Sequence, residues 1–175
     1  FTIASAWTGS GRLRFAIKAL GDYTARLPQL LQVGQPVTVE GPYGRFDFGG
    51  PQTAQVWVAG GIGITPFLAR LQARADHQAS TAETVDLFYC TRVSDEAFLA
   101  RLQDTAERAR VRLHLVLDGR DERLTAERLC EAVPGWREAS VWFCGPAAFG
   151  QGLHQGLLAR GLPAGAFHQE LFEMR

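Results

Sequence analysis

From about residue 53 onward the chain alternates between short apolar runs and amphipathic stretches, and few architectures accommodate that rhythm. Apolar runs at 55–59, 84–90 ("TVDLFYC"), 111–117 ("VRLHLVL") and 140–144 ("SVWFC") each precede a segment with helical spacing. In 65–77 the residues Phe67, Leu68, Leu71 and Ala75 share one face, and in 95–109 Phe98, Leu102 and Ala106 recur at four-residue steps. The stripe in 146–160 is Phe149, Leu153 and Leu157, and a shorter helix is predicted over 126–133 with Thr125 as its N-cap. "AFHQELF" reads as a last strand. Repeated strand–helix alternation with short connections predicts an α/β fold: a five-stranded parallel sheet with helices on both faces. Ligands of such sheets bind beyond the carboxyl ends of the strands, where strand order reverses. That rule points to four loops, 60–66, 91–94, 118–124 and 144–147.

The first of these, within "VWVAGGIGITPF", resembles a dinucleotide fingerprint but has Pro66 where G-x-G-x-x-G would place its third glycine. Glycine lets backbone turn sharply and approach an anion closely. Thr65 can cap the following helix and Pro66 suits its first position, so the helix N-terminus would face a phosphate. A merely tight strand-to-helix turn is the alternative. "CGP" at 144–146 repeats the arrangement, with Cys144 either touching a bound ring or simply buried at a strand end. Thr91 and Arg92 in "YCTR" stand where dinucleotide folds read the ribose 2′ position, and a hydroxyl beside a guanidinium suits a 2′-phosphate. An exposed arginine is the plain alternative. Asp95 and Glu96 fit the first helical turn, and Asp121 and Glu122 read as members of a solvated charged loop.

Residues 1–48 follow a different pattern, glycine-punctuated and strand-like. Strands are expected over 1–6, 12–20 and about 36–41, with a helix beginning near Pro28, since proline opens a helix more readily than it sits inside one. "GPYGRFDFGG" is the expected boundary, giving segments 1–48 and 49–175. "FTIASA" reads as a strand already under way, which suits a fragment of something longer or simply a terminal strand.

Other classes are disfavoured. Zero formal net charge argues against nucleic acid as the main partner, and no apolar run approaches the roughly 18 residues of a membrane span. Three cysteines without C-x-x-C spacing, and four histidines without ligand spacing, argue against a metal site and suit a reducing compartment. No Ser/His/Asp or Cys/His arrangement is legible.

"FTIAS", "GDYT", "GPYG", "GGIGITPF", "YCTR", "CGP" and "FHQELFEMR", in this order, resemble the ferredoxin–NADP reductase superfamily, most closely its ferric reductase-like and NADPH oxidase-like flavoproteins. The resemblance covers essentially the whole chain. It implies FAD on an antiparallel barrel, with Phe1 and Thr2 against the isoalloxazine and Ile17, Lys18, Tyr23 and Thr24 near the ring and pyrophosphate. Lys18 and Thr24 also suit a diphosphate on chemical grounds. Three strands where the family has about six imply a truncated barrel over 1–48 and a complete nucleotide domain over 49–175. NADPH, or NADH, would lie on Gly60, Gly61, Gly63, Ile64, Thr65 and Pro66, with Thr91 and Arg92 at its 2′ end and Cys144, Gly145 and Pro146 at its nicotinamide. Phe172 would lie against the flavin, or serve as ordinary core. Cys144, Phe172 and Thr2 would border the reaction.

The implied function is hydride transfer from NADPH to FAD, then single electrons to a haem-bearing transmembrane domain of the same full-length chain, ending on ferric iron or oxygen. The module would face the cytoplasm, with the full-length protein in the membrane, and the fragment alone would have little activity. A flavoreductase or oxygenase-reductase component would share every loop named, and a non-enzymatic NAD(P)H-binding regulatory module would bind nucleotide without turnover.

Overall fold

The computed structural model describes residues 1–44, 46–76, 83–92 and 95–171. Its sheet contains β1 (Ala54–Gly60), β2 (Thr84–Thr91), β3 (Arg112–Leu117), β4 (Ser140–Gly145) and β5 (Phe167–Leu171) in the order β3-β2-β1-β4-β5. All four pairings are parallel, so the five-stranded α/β sheet read from the sequence is present. Strand order reverses between β1 and β4, and the first loop of interest leaves the sheet there.

Two apolar layers explain why the sheet is covered on both faces. On one, α2 (Thr65–Asp76) and α3 (Glu96–Arg108) set Phe67, Leu71, Leu102 and Ala106 against Trp57, Leu87 and Trp142. On the other, α4 (Ala126–Ala132) and α5 (Ala147–Leu158) set Leu129, Leu153 and Leu157 against Val56, Val58, Val141 and Phe143. The central strands β1 and β4 run almost wholly buried, as a doubly covered parallel sheet requires. Two buried indoles find partners on their own strands: Trp57 donates to Gln55 at 2.8 Å and Trp142 to Ser140 at 3.0 Å. An unmatched donor at either place would carry the desolvation cost of a buried polar group. Asp95 and Thr125 cap α3 and α4, accepting from the backbone N–H of Phe98 and Arg128.

The N-terminal third differs from expectation. Its strand-like segments meet only at an isolated antiparallel bridge, Ile3 with Phe15, where Ala4 N–H donates to the Arg14 carbonyl at 2.8 Å. Residues 36–41 form no strand. Strands are stabilised by partners on both edges and a face to bury, and here Val37 and Val39 are exposed. Pro28 also departs from expectation: α1 spans Asp22–Leu30 and contains it. The helix starts six residues before the proline because Thr24 closes its first turn, its hydroxyl accepting from Gly21 N–H and donating to the Gly21 carbonyl.

Two rings join the segments. Phe46 and Phe48 insert between Phe67, Trp57 and Trp142, with ring centroids 5.0–5.8 Å apart, and Gln55 donates to the Phe48 carbonyl at 3.1 Å. Phe48 holds φ 58, an uncommon value for a residue with a side chain.

Candidate functional site

The carboxyl ends of β1 and β4 are pressed together by residues without side chains. A Cβ on Gly145 would stand 3.0 Å from Gly60 Cα, so the two strand ends share a backbone-to-backbone contact that a side chain would crowd. The chain leaves Gly60 through a 3₁₀ turn, Gly61–Ile64, and enters α2 without interruption. Gly61 takes φ 56 with open space at its Cβ position, so its role is conformational freedom beside solvent. Gly63 has the opposite reason: a Cβ there would lie 2.1 Å from the Cys144 carbonyl oxygen.

This corrects the reading of Thr65. It is already helical, is 1% exposed, and its hydroxyl donates to the Ile62 carbonyl at 3.1 Å instead of capping the helix. Gly63, Ile64, Thr65 and Pro66 are buried behind the turn. Gly61 and Ile62 are half-buried at its open face, and Gly60, though buried, borders the same cavity.

That face is one wall of a cleft of about 900 Å³, toward the upper end of ordinary small-molecule sites. Gly145, Pro146, Ala148 and Phe149 continue the floor, Lys18 and Leu20 approach from the N-terminal segment, and Cys90, Thr91 and Arg92 enter from β2. Val116, Asp118, Arg123 and Leu124 come from the end of β3 and the loop after it. Of the residues proposed from sequence, the fold gathers Lys18, Gly60, Gly61, Thr91, Arg92, Gly145 and Pro146 around one cavity. Phe1, Ile17 and Tyr23 are exposed outside its lining, Thr2 is partly buried, and the Thr24 hydroxyl is committed to α1. Phe172 lies outside the described residues.

The far end of the cleft is charged. Arg92 Nε donates to Asp118 Oδ2 at 2.6 Å, and Arg123 Nε lies 3.8 Å from Asp118 Oδ1. That hydrogen bond holds the Asp118 carboxyl below its ordinary range. Asp121 accepts from Leu117 N–H at 2.8 Å, which lowers its own carboxyl and fixes the loop. The loop is therefore organised by its carboxylates instead of being merely solvated. Asp118 and Arg123 were missed from sequence. The available signal was register: Thr91 pairs with Leu117, so the residue after β3 falls beside the residue after β2.

Cys144 is fully buried in the core layer with Trp57, Phe67 and Trp142 and does not line the cleft. Burial, aided by the Glu170 charge, pushes its thiol up to about 12. Such a thiol stays protonated near neutral pH and cannot serve as a nucleophile. Native protein is expected to resist iodoacetamide at Cys144, with alkylation appearing only after denaturation; mass-spectrometric labelling in the native state would refute this. Glu170 is Cys144's register partner on β5 and packs over Gly44, 3.2 Å from where that glycine's Cβ would be. Burial raises its carboxyl as well. Sequence reading passed over Glu170, although a lone carboxylate in a closing strand opposite "CGP" was there to notice. Among the described residues no group of three His, Cys, Asp or Glu side chains could hold a metal ion, and no helix is long and apolar enough to cross a membrane.

Known proteins resemble this chain in sequence and in fold. The sequence model of the oxidoreductase NAD-binding domain matches residues 57–155, more than half of the chain. A glycine betaine monooxygenase reductase subunit from Chromohalobacter salexigens is 27% identical over 98% of this chain and 50% of its own length. A carnitine monooxygenase reductase subunit from Escherichia coli is 31% identical over 83% of this chain and 43% of its own. The chain thus spans about half the length of the curated relatives it matches. Among solved structures, the flavohem-like FAD/NAD-binding domain of a Vibrio cholerae nitric oxide dioxygenase superposes with a TM-score of 0.73, at 22% identity over 97% of this chain and 75% of that one.

Proposed function

The chain belongs to the oxidoreductase NAD-binding domain family, within the ferredoxin–NADP reductase-like superfamily, and on that premise we propose that it is the nucleotide-binding part of an NAD(P)H-dependent flavoprotein reductase. The observation carrying this reading is the cleft itself, which opens at the strand-order reversal, has the close Gly60–Gly145 contact in its floor, and ends in two arginines. An elongated ligand with an anionic centre fits that sequence of features. Its pyrophosphate would rest on Gly60–Ile62, its adenosine 2′ position near Arg92 and Arg123, and its nicotinamide toward Gly145.

Lys18 beside the cleft and the exposed Ile17, Tyr23 and Phe1 suit an aromatic ring joined to a diphosphate, so the N-terminal segment fits one side of an FAD site. FAD, when bound, takes up hydride and can pass it on as single electrons. The chain's own contribution is orientation. The Gly60–Gly145 contact fixes how deeply the nucleotide sits, and Glu170 offers a half-buried carboxyl at the edge where the two segments meet. Cys144, buried in the apolar layer, contributes packing alone.

The two relatives named above are monooxygenase reductases, which supports an oxygenase component as electron acceptor in preference to a haem-bearing membrane domain. The test uses the full-length protein with flavin bound. Anaerobic NADPH or NADH should bleach the flavin's visible absorbance, and an acceptor dye should restore it. Tight nucleotide binding without bleaching would favour the regulatory-module reading.

A further inference from the structure

The sheet ends at β3, and part of its outer edge is unclaimed. Along a parallel ladder, successive residues turn their backbone groups alternately toward one side and the other. Asp118 N–H donates to the Thr91 carbonyl, and Leu117 is the register partner of Thr91. Arg112, His114, Val116 and Asp118 therefore bond toward β2, and Leu113, Leu115 and Leu117 point outward. Leu117 is already satisfied: its N–H donates to the Asp121 carboxylate at 2.8 Å, and its carbonyl accepts from Arg120 and Asp121. Among the described residues nothing takes the outward N–H and carbonyl of Leu113 or Leu115. Both leucines are half-buried, and the run 113–117 has neither the lysine nor the proline by which sheet edges commonly discourage pairing.

We propose that this edge is the interface for a second copy of the chain, joined antiparallel about a twofold axis at His114, so that two five-stranded sheets become one. Hydrogen bonding and charge both select that arrangement. An antiparallel pair exchanges two hydrogen bonds at every second residue pair. With His114 opposite its own copy, each Leu113 meets the other Leu115, and the four bonds formed use every free group on both edges. Sliding by two residues toward the carboxyl end would set Leu113 against Leu117, whose groups are spent. The two ends of the strand also differ in charge. Residues 108–112 hold Arg108, Arg110 and Arg112 with no acid, whereas 118–122 hold Asp118, Asp121 and Glu122 with Arg120 alone. Antiparallel pairing brings each basic end to the other copy's acidic turn, whereas parallel pairing would set like against like. Among the described residues Arg108 and Arg112 already pair with Asp104 and Asp86, which leaves Arg110 for the partner. His114 does not block the seam, because Asp86 bonds it at 2.7 Å and Phe88 stacks on its ring at 4.3 Å, holding it over its own sheet. A twofold contact of this kind closes at two copies. It is small, so its dissociation constant should fall at about 1–100 µM.

Sedimentation velocity of the full-length protein across that concentration range should show a monomer passing reversibly to a dimer. Leu115→Pro should leave only monomer: the Leu115 N–H faces away from β2, so proline spares the sheet's own ladder and removes a donor from the seam on each copy. Arg110→Glu should weaken the dimer about tenfold, and adding Glu122→Arg to it should recover most of the loss. Arg110, Leu115 and Glu122 lie outside the cleft lining, so the dimer stands or falls independently of what the cleft binds. A wild-type protein that stays monomeric throughout overturns the proposal, as does one that grows past the dimer. So does a dimer whose dissociation constant neither single variant changes, since its seam would lie elsewhere. If Leu115→Pro does not fold, Arg110→Glu and the charge-swapped double variant decide, and weakening without recovery overturns the antiparallel arrangement.

Discussion

Gly63→Ala should lower stability by at least about 3 kcal/mol, seen as a fall of about 6–12 °C in melting temperature for a chain of this size. The new Cβ would lie 2.1 Å from the Cys144 carbonyl oxygen, 2.5 Å from its carbon and 2.9 Å from the Gly145 nitrogen. All three are backbone atoms, so no rotamer change relieves the overlap. The 3₁₀ turn would have to lift away from β4, taking the cleft floor with it. Two other glycines calibrate the result. Gly61→Ala meets open space but must hold φ 56, which costs about 1 kcal/mol. Gly152→Ala, within α5 and with nothing inside 4 Å, should stabilise by about 0.5–1 kcal/mol. Thermal denaturation of the three variants should give that order. A Gly63→Ala protein as stable as Gly61→Ala would mean that the turn does not pack on β4 as described.

Arg92→Ala should raise KM for NADPH about 10- to 150-fold, because charge-assisted hydrogen bonds to a phosphate contribute roughly 1.5–3 kcal/mol. KM for NADH should stay within about twofold, since the 2′-hydroxyl does not need a cation. Asp118 draws the expectation toward the lower end of the range, because the wild-type arginine must leave a 2.6 Å partner first. Steady-state kinetics of the full-length protein with both nucleotides reads the difference directly. Equal losses for NADPH and NADH would remove Arg92 from the 2′ position and leave it as an exposed partner of Asp118.

The sheet and its helices were legible because periodicity reports burial, and burial is what forms them. Phe67 and Leu71, or Leu153 and Leu157, recur at helical spacing and face the sheet. The glycines of the first loop were legible as a group but not one by one. Gly61 is needed for its backbone angle and Gly63 for a contact with Cys144, about eighty residues further along the chain, and a sequence records both with the same letter. Thr65 illustrates the same limit, since its hydroxyl was read as a cap but is spent inside the turn. Asp118 and Arg123 were hidden differently. Alternating charges look solvated along the chain, and only the pairing of β2 with β3 brings them to Arg92. In the N-terminal third, alternation indicated strands at 12–20 and 36–41, but a pattern without partner strands yields only the Ile3–Phe15 bridge.

The pair of rings at Phe46 and Phe48 bears on how this molecule can be divided. A nucleotide-binding fragment begun at residue 49 would lose both rings from among Trp57, Phe67 and Trp142, along with the Phe48 carbonyl to which Gln55 donates. Gln55 is itself the acceptor for Trp57, so the damage would reach the first strand of the sheet. The workable cut falls before Phe46. Expression vectors for the isolated unit, and swaps that graft it onto another flavin-side segment, should carry "FDF" along as part of the nucleotide-binding half.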